Sequence, residues 1–204
     1  MEFELRDGKG SGRRLSINRL NRAETESVTF DREDDAIQRG LGYQITSGPV
    51  TFTAGATASG VLYFRNKEDV DCVLDRVVLM IGTSTAGTVT GDWTHRIVRN
   101  PTGGTLISGA TPAGISNSNH GSNNVLNGGD CVYSGTEGTT ITGGTGAPLP
   151  VQQTNNRVVF PIGRRIPKGS SFAVEITAPT LGGGASVIGI SVAHVFLDSN
   201  LEES

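Results

Sequence analysis

The sequence predicts an all-β protein with a sandwich body, and three observations lead to that class. The chain of 204 residues contains 29 glycines and only 35% apolar residues, a composition that disfavours a helical bundle. From Tyr43 onward, alternating or continuous runs of β-branched and aromatic residues recur between turns rich in Gly, Pro, Asn and Ser. Connections of unequal length favour a jelly-roll or Greek-key β-sandwich over an up-and-down barrel.

The strand pattern is clearest in seven runs, and no helix is predicted. These runs are 50–53, 61–66, 72–82, 92–99, 157–162, 171–177 and 185–197. The β-branched run 72–82 is expected to be a central strand, buried on both faces in its second half. Phe172, Val174 and Ile176 alternate with smaller or polar residues and are expected to face the core. Pro161 predicts a strand end or a sheet edge at that position.

The first 40 residues differ in kind from the rest of the chain. They contain 17 of the 37 Asp, Glu, Lys and Arg residues, and they begin with the Gly-rich stretch Asp7–Gly12. Burial of so few apolar residues cannot offset the conformational entropy that is lost when the backbone is ordered, which costs roughly 1–2 kcal/mol per residue. The chain is therefore predicted to divide into an extended N-terminal arm, 1–40, and a jelly-roll-like sandwich domain, 41–204.

The middle of this arm interleaves aliphatic and basic side chains. A purely solvating tail would not need aliphatic residues, so the pattern favours docking against a partner over a frayed terminus without function. The candidate docking residues are Arg13, Arg14, Leu15, Ile17, Asn18, Arg19, Leu20 and Arg22.

Composition also excludes several classes of protein. No apolar run reaches the length of about 18 residues that a membrane span needs, so no membrane partner is predicted. The formal net charge of −3 disfavours a general nucleic-acid binder. The acidic first residues lack the pattern of a secretory signal, which predicts synthesis in a cytoplasm. Cys72 and Cys131 are then expected as buried, reduced thiols.

No residue pattern predicts catalysis, a metal site or a cofactor. The Gly-rich stretch 143–148 lacks the Lys-Ser/Thr pair of a phosphate-binding loop. Structural or solvated roles are expected for the histidines and for the acidic residues that calcium binding or glycoside hydrolysis would require. Those residues are His95, His120, His194, Asp69, Asp71, Asp75, Asp130, Glu137 and Glu175. Trp93, the single tryptophan, is expected in the core and not as a platform for sugar stacking.

Two sets of short motifs carry a family resemblance. The first is Asp7-Gly8-Lys9-Gly10-Ser11-Gly12, then Ile17-Asn18-Arg19-Leu20 and Tyr43-Gln44-Ile45-Thr46-Ser47-Gly48. The second begins with Gly82-Thr83-Ser84-Thr85 and Arg99-Asn100-Pro101-Thr102-Gly103-Gly104-Thr105, then continues through 119–122, 133–139 and 149–171. Together they cover most of the chain and resemble small structural proteins of tailed bacteriophages. The resemblance implies a virion protein, namely a capsid decoration (cement, or head-stabilising) protein with a jelly-roll body, and it implies no catalytic residue.

Three functional hypotheses follow. The favoured one is a decoration protein on the capsid exterior, made in the host bacterial cytoplasm, which stabilises the shell by docking its arm on the major capsid protein. A homotrimer is expected, since three arms would bind together with high effective concentration. The alternative is a head-fibre or tail-associated adhesin that binds a host-surface glycan through loops in 105–156. The least favoured is an enzyme acting on polysaccharide through Glu137 or Asp130.

Overall fold

Two antiparallel β-sheets form the body of the chain. The computed structural model describes residues 16–17, 23–24, 32–83, 87–109, 111–126, 130–151 and 157–198. It groups the chain into two units, Met1–Asp31 and Arg32–Ser204. In the first unit, strand β1 (Ser16–Ile17) pairs antiparallel with β2 (Ala23–Glu24). All the other elements belong to the second unit.

The first sheet contains six strands. They are β3 (Gly42–Thr46), β4 (Val50–Phe52), β6 (Cys72–Thr83), β10 (Gly114–Asn117), β13 (Arg157–Ile166) and β16 (Val187–Leu197). Five of them lie side by side in the order β10-β3-β16-β6-β13, and β4 pairs with the beginning of β16. Strand β13 therefore forms one edge of the first sheet.

The second sheet also contains six strands, in the order β12-β8-β14-β5-β11-β9. They are β5 (Ala58–Arg65), β8 (Trp93–Arg99), β9 (Thr111–Pro112), β11 (Val132–Tyr133), β12 (Thr145–Val151) and β14 (Ser171–Thr177). A separate two-stranded ribbon is formed by β7 (Thr88–Thr90) and β15 (Thr180–Gly182).

The pairing of eight principal strands is that of a jelly roll. In chain order these strands are β3, β5, β6, β8, β12, β13, β14 and β16. The first pairs with the last, the second with the seventh, the third with the sixth and the fourth with the fifth, always antiparallel. This nested pairing, divided between two sheets, is the double Greek key of a jelly roll. The predicted fold class, an all-β jelly-roll sandwich, is confirmed.

The core lies between the two sheets and is built mainly from aromatic and β-branched side chains. The rings of Phe52 and Trp93 meet edge to face, with centroids 5.5 Å apart and planes at 89°. Trp93 is buried, which confirms its expected place in the core. The inward set predicted for β14 is also confirmed, because Phe172, Val174 and Ile176 are all buried.

Two finer predictions for the first sheet agree with the structure. The run 72–82 forms β6, which lies between β16 and β13, and its successive residues Val77, Val78 and Leu79 are all buried. Burial of adjacent positions means that both faces of the strand are covered there. Pro161 lies in β13, which is an edge strand among the described strands, and an edge strand tolerates a missing N–H.

Two short helices pack outside this core, so the prediction of a chain without helices is wrong. Helix α1 (Arg32–Gln38) buries Ala36 in a small cluster with Val73 and Phe196. Helix α2 (Thr105–Gly109) buries Leu106 in a second such cluster. Neither helix, nor any other in the described ranges, has the length and apolar character that a membrane crossing requires.

Helix α1 lies within the segment 1–40 that was predicted as an arm. Its first turn contains the acidic residues Glu33, Asp34 and Asp35, which interact favourably with the N-terminal end of a helix. It ends before Gly40, whose φ of 71° is a conformation typical of helix C-termini. Residues 32–40 therefore pack with the sandwich, where Ala36 joins a small apolar cluster with Val73 and Phe196.

Candidate functional site

The predicted docking residues lie almost entirely outside the described part of the chain. Ile17 is the exception, since it belongs to β1 and its backbone pairs with that of Ala23. The others, Arg13, Arg14, Leu15, Asn18, Arg19, Leu20 and Arg22, lie outside the described residues. The docking role of all these residues stays a prediction.

Helix α1, which follows this segment in the sequence, is bound to the body by ion pairs in its first turn. Arg32 Nη2 donates to both carboxylate oxygens of Asp198, at 2.8 and 2.7 Å. The Asp198 side chain is only 2% exposed and also lies 3.2 Å from the guanidinium of Arg165. Glu33 forms a second ion pair, with Arg76 of β6. Because a buried carboxylate is costly without its cations, the start of α1 is held firmly on the first sheet.

Asparagine side chains from the end of β10 and the loop after it hold the other end of α1. Asn117 Nδ2 and Asn124 Nδ2 donate to the carbonyl oxygen of Gly40 at 2.8 and 3.2 Å. Asn119 Nδ2 donates to the carbonyl oxygen of Gln38 at 3.0 Å. Carbonyl groups at a helix C-terminus have no partner within the helix, so these amides satisfy them. We call α1 together with these contacts at both of its ends the root.

The root was not predicted from the sequence. Arg32 and Asp198 are 166 positions apart, and no local pattern predicts that they meet. The acidic first turn of α1 and Gly40 were the signals that could have predicted a helix there.

Glu137, a candidate catalytic acid in the sequence, joins two loops of the body by hydrogen bonds. We call this set of contacts the Glu137 clip. Its carboxylate accepts the backbone N–H groups of Thr53, Ala54 and Gly55 at 2.8, 3.0 and 2.8 Å. Burial acts to raise the pKa of Glu137, but these three donors outweigh it and the pKa is lowered. A carboxylate whose oxygens are occupied by backbone donors has a structural role.

The other acidic residues considered above each face a cation. The separations are 3.1 Å for Asp130–Lys67, 3.4 Å for Glu175–Arg96, 2.6 Å for Asp69–Lys168, 3.8 Å for Asp71–Arg165 and 2.9 Å for Asp75–Arg76. Within the described ranges, no three His, Cys, Asp or Glu side chains come together in a group that could hold a metal ion. These acids therefore form ion pairs and do not converge on a common site.

Two of the histidines and both cysteines lie at buried or half-buried positions. His95 is 0% exposed and stacks on Phe160, with ring centroids 4.7 Å apart and planes at 14°. Neither of its ring nitrogens has a hydrogen-bond partner among the described residues, and burial lowers its pKa to about 4. His194 is half-buried, and its pKa is lowered by burial. Cys72 and Cys131 are free and buried, as predicted, and burial raises the pKa of both thiols to about 12.

Residues 105–156, where glycan-binding loops were the alternative prediction, contain more regular structure than expected. Helix α2 and strands β9 to β12 lie there. The Thr140 hydroxyl accepts the backbone N–H of Thr105 at 3.1 Å, which ties α2 to the segment after the Glu137 clip. The adhesin hypothesis stays a prediction.

No family model and no curated protein matches the chain. Among solved structures, it is similar to a chain of infectious bursal disease virus, Gx strain, at 17% identity and a TM-score of 0.33, over 78% of this chain and 32% of that one. A chain of the heated full particle of Israeli acute paralysis virus matches at 13% identity and a TM-score of 0.36, over 97% and 96% of the two chains. A chain of tomato aspermy virus matches at 12% identity and a TM-score of 0.26, over 91% and 89%.

These likenesses are distant. The chain spans about a third of the length of the infectious bursal disease virus protein. With TM-scores below 0.5 and identities below 25%, the fold assignment rests on the strand pairing of this chain itself.

Proposed function

We propose that this chain is a structural protein of a tailed-phage virion that binds the outer surface of the capsid and stabilises it. In this proposal the partner is the major capsid protein of the same virion. The contact is made by residues 13–22 of the N-terminal arm, and the jelly-roll body stands outside the shell. The motifs that resemble small phage structural proteins support this assignment.

The observation that carries the proposal is the root. An arm that holds a protein on a shell transmits force to the point where it joins the body, so that point must resist local unfolding. Helix α1 supplies this resistance, since the buried carboxylate of Asp198 is paired with Arg32 at the very start of the helix. The Arg32 side chain is 57% exposed, but its partner Asp198 is buried, so loss of the pair would leave a buried carboxylate with one cation fewer and would weaken this junction.

The side chains of the arm suit a protein surface of mixed character. Leu15, Ile17 and Leu20 would each contribute roughly 1.5–3 kcal/mol if fully buried on a partner. Neighbouring arginines are suited to bidentate contacts with carboxylates of a shell subunit. Ordering of the arm costs roughly 1–2 kcal/mol per residue, so one arm alone binds weakly. We therefore propose a homotrimer, in which three arms act together through effective concentration.

The test is binding of purified protein to capsids that lack it, measured by co-sedimentation. The full chain is compared with a truncation that starts at Arg32, since this variant keeps the root and the buried Ala36. A truncation after residue 40 would remove both and confuse loss of binding with loss of folding. We expect the variant that starts at Arg32 to unfold at nearly the same temperature as the full chain and to leave capsids unoccupied.

Substitutions in the full chain test how much the positive charge of the arm contributes to capsid binding when the arm itself is kept. The four changes Arg13→Gln, Arg14→Gln, Arg19→Gln and Arg22→Gln are expected to weaken capsid binding by at least about tenfold. The matched control is Arg157→Gln, an exposed arginine at the start of β13. Equal occupancy of capsids by the truncated and the full chain would refute docking through the arm.

A further inference from the structure

A cavity of about 500 Å³ opens between the two sheets, where β8 ends and β14 begins. Its inner wall is apolar and consists of the buried side chains of Leu74, Ile166 and Phe172. Ile97 and Ile162 line it from opposite sheets and are only partly buried. Small-molecule sites typically have volumes of about 300–1,000 Å³ and mainly apolar walls, so the cavity has the size and lining of a ligand site.

A β-bulge in the edge strand β13 shapes the cavity. Pro161 pairs with Arg76 and Arg164 pairs with Leu74, so Ile162 and Gly163 together oppose a single residue of β6. Gly163 adopts a φ of 57° at this point. A bulge bends its strand, and β13 can bend because no described strand pairs with its outer side. The bend places Ile162 at the wall of an open space and leaves it partly exposed.

The mouth of the cavity is basic. Arg99, Arg164 and Arg165 all line it, and none of its described lining residues is acidic. Arg165 is already paired with Asp198. The side chains of Arg99 and Arg164 form no hydrogen bond or ion pair with any residue of the described ranges. Two unpaired guanidinium groups beside an apolar space attract an anion, which each can bind in a bidentate manner.

We propose that this cavity binds an amphipathic anion, an unbranched hydrocarbon chain that ends in a carboxylate. The hydrocarbon chain lies against Leu74, Ile97, Ile162 and Phe172, and the carboxylate pairs with Arg99 and Arg164 at the mouth. Burial of the apolar chain supplies the affinity, and the guanidinium pair selects the charged end. This inference is independent of the proposed virion role, because it rests on the cavity alone.

The first experiment titrates the full chain with dodecanoate, below its critical micelle concentration, by isothermal titration calorimetry. We expect one site per chain. Each methylene removed weakens binding roughly fourfold, so decanoate should bind roughly ten- to twentyfold more weakly than dodecanoate. Dodecanol, which has the same chain without the charge, should bind at least about tenfold more weakly. Absence of dodecanoate binding, or many equivalent sites per chain, would overturn the proposal.

Variants then assign the binding to this cavity. The double variant Arg99→Gln, Arg164→Gln should lower the affinity for dodecanoate by at least about tenfold and leave that for dodecanol unchanged. Ile162→Trp should fill the space and weaken both ligands. The matched control is Arg157→Gln, an exposed arginine on the same strand that does not line the cavity.

The double variant decides the outcome even if Ile162→Trp does not fold, because both arginines are exposed and their replacement leaves the core intact. Equal dodecanoate affinity of the double variant and the Arg157→Gln control would show that the carboxylate is not bound by Arg99 and Arg164, and would overturn the proposal.

Discussion

Replacement of His95 by leucine should make the stability of this protein less sensitive to mild acid. His95 is 0% exposed, stacks on Phe160, and has no hydrogen-bond partner on either ring nitrogen among the described residues. Burial therefore lowers its pKa from an ordinary 6.5 to about 4. The unfolded chain takes up a proton at His95 before the folded chain does, so the free energy of unfolding falls as the pH drops below about 6.5.

The size of the effect follows from the two pKa values. A difference of one pKa unit corresponds to about 1.4 kcal/mol, so the shift from 6.5 to about 4 gives roughly 3 kcal/mol in full. Between about pH 8 and about pH 5, roughly 2 kcal/mol of this is lost. The neutral-pH change in stability should stay within about 1 kcal/mol, since loss of the stacked ring is offset by removal of two desolvated nitrogens.

Urea unfolding at several pH values between about 8 and 5 measures this difference. The His95→Leu variant should lose about 2 kcal/mol less than the unsubstituted chain over that range. The matched control is His120→Asn, at an exposed loop position, which should follow the unsubstituted chain. Since His194 is present in all three proteins, its contribution cancels. If His95→Leu and the unsubstituted chain lose equal stability down to about pH 5, the buried neutral state assigned to His95 is refuted.

Three further predictions concern the clip, the root and the thiols. Glu137→Gln should lower the free energy of unfolding by about 1–3 kcal/mol at neutral pH, measured by urea unfolding, because a charged acceptor of three backbone donors is lost. This difference should shrink as the pH falls below the ordinary value of 4.5 and the native carboxylate is protonated; a difference independent of pH would contradict the clip. Arg32→Met should cost about 1–3 kcal/mol, and added Asp198→Asn should recover part of it in a double-mutant cycle, whereas additive losses would contradict the ion pair. Cys72 and Cys131, whose pKa values are raised to about 12, should resist iodoacetamide near neutral pH until urea unfolds the chain, and rapid alkylation of the native protein would contradict their burial.

Strands that are apolar over their own length were predictable from the sequence. The β-branched run that forms β6 and the alternating large apolar residues of β14 each specify an extended, buried segment without reference to any partner. The class of sandwich was also predictable, because unequal connections between such strands favour Greek-key pairing. The partner of each strand was not predictable. Strands β3 and β16 are neighbours in the sheet but lie near opposite ends of the domain's sequence, and no local signal encodes their pairing.

Helix α1 shows why short elements escape sequence reasoning. It buries a single alanine and is stabilised by contacts with Asp198 and with asparagines of a distant loop. Composition alone assigned it to the charged arm, since its charges look like those of a solvated segment. Its acidic first turn and the following Gly40 were local signals for a helix.

The cavity between the two sheets could not be predicted from the sequence for a related reason. Its wall combines side chains from β6, β8, β13 and β14, which meet only in the folded sandwich. Pro161 and Gly163, two residues that weaken a strand, were the local sign of a bulge. That Arg99 and Arg164 have no acidic partner among the described residues depends on how the sandwich folds and has no counterpart in the sequence.

Cryo-electron microscopy of the virion would show whether this protein docks on a capsid by its N-terminal arm. We expect density for a jelly-roll body on the outer surface of the shell, with residues 13–22 extended across the major capsid protein. Trimers at local symmetry axes are expected. Density for this chain inside the shell, or on the outside with contacts made by the sandwich and none by residues 13–22, would contradict docking through the arm.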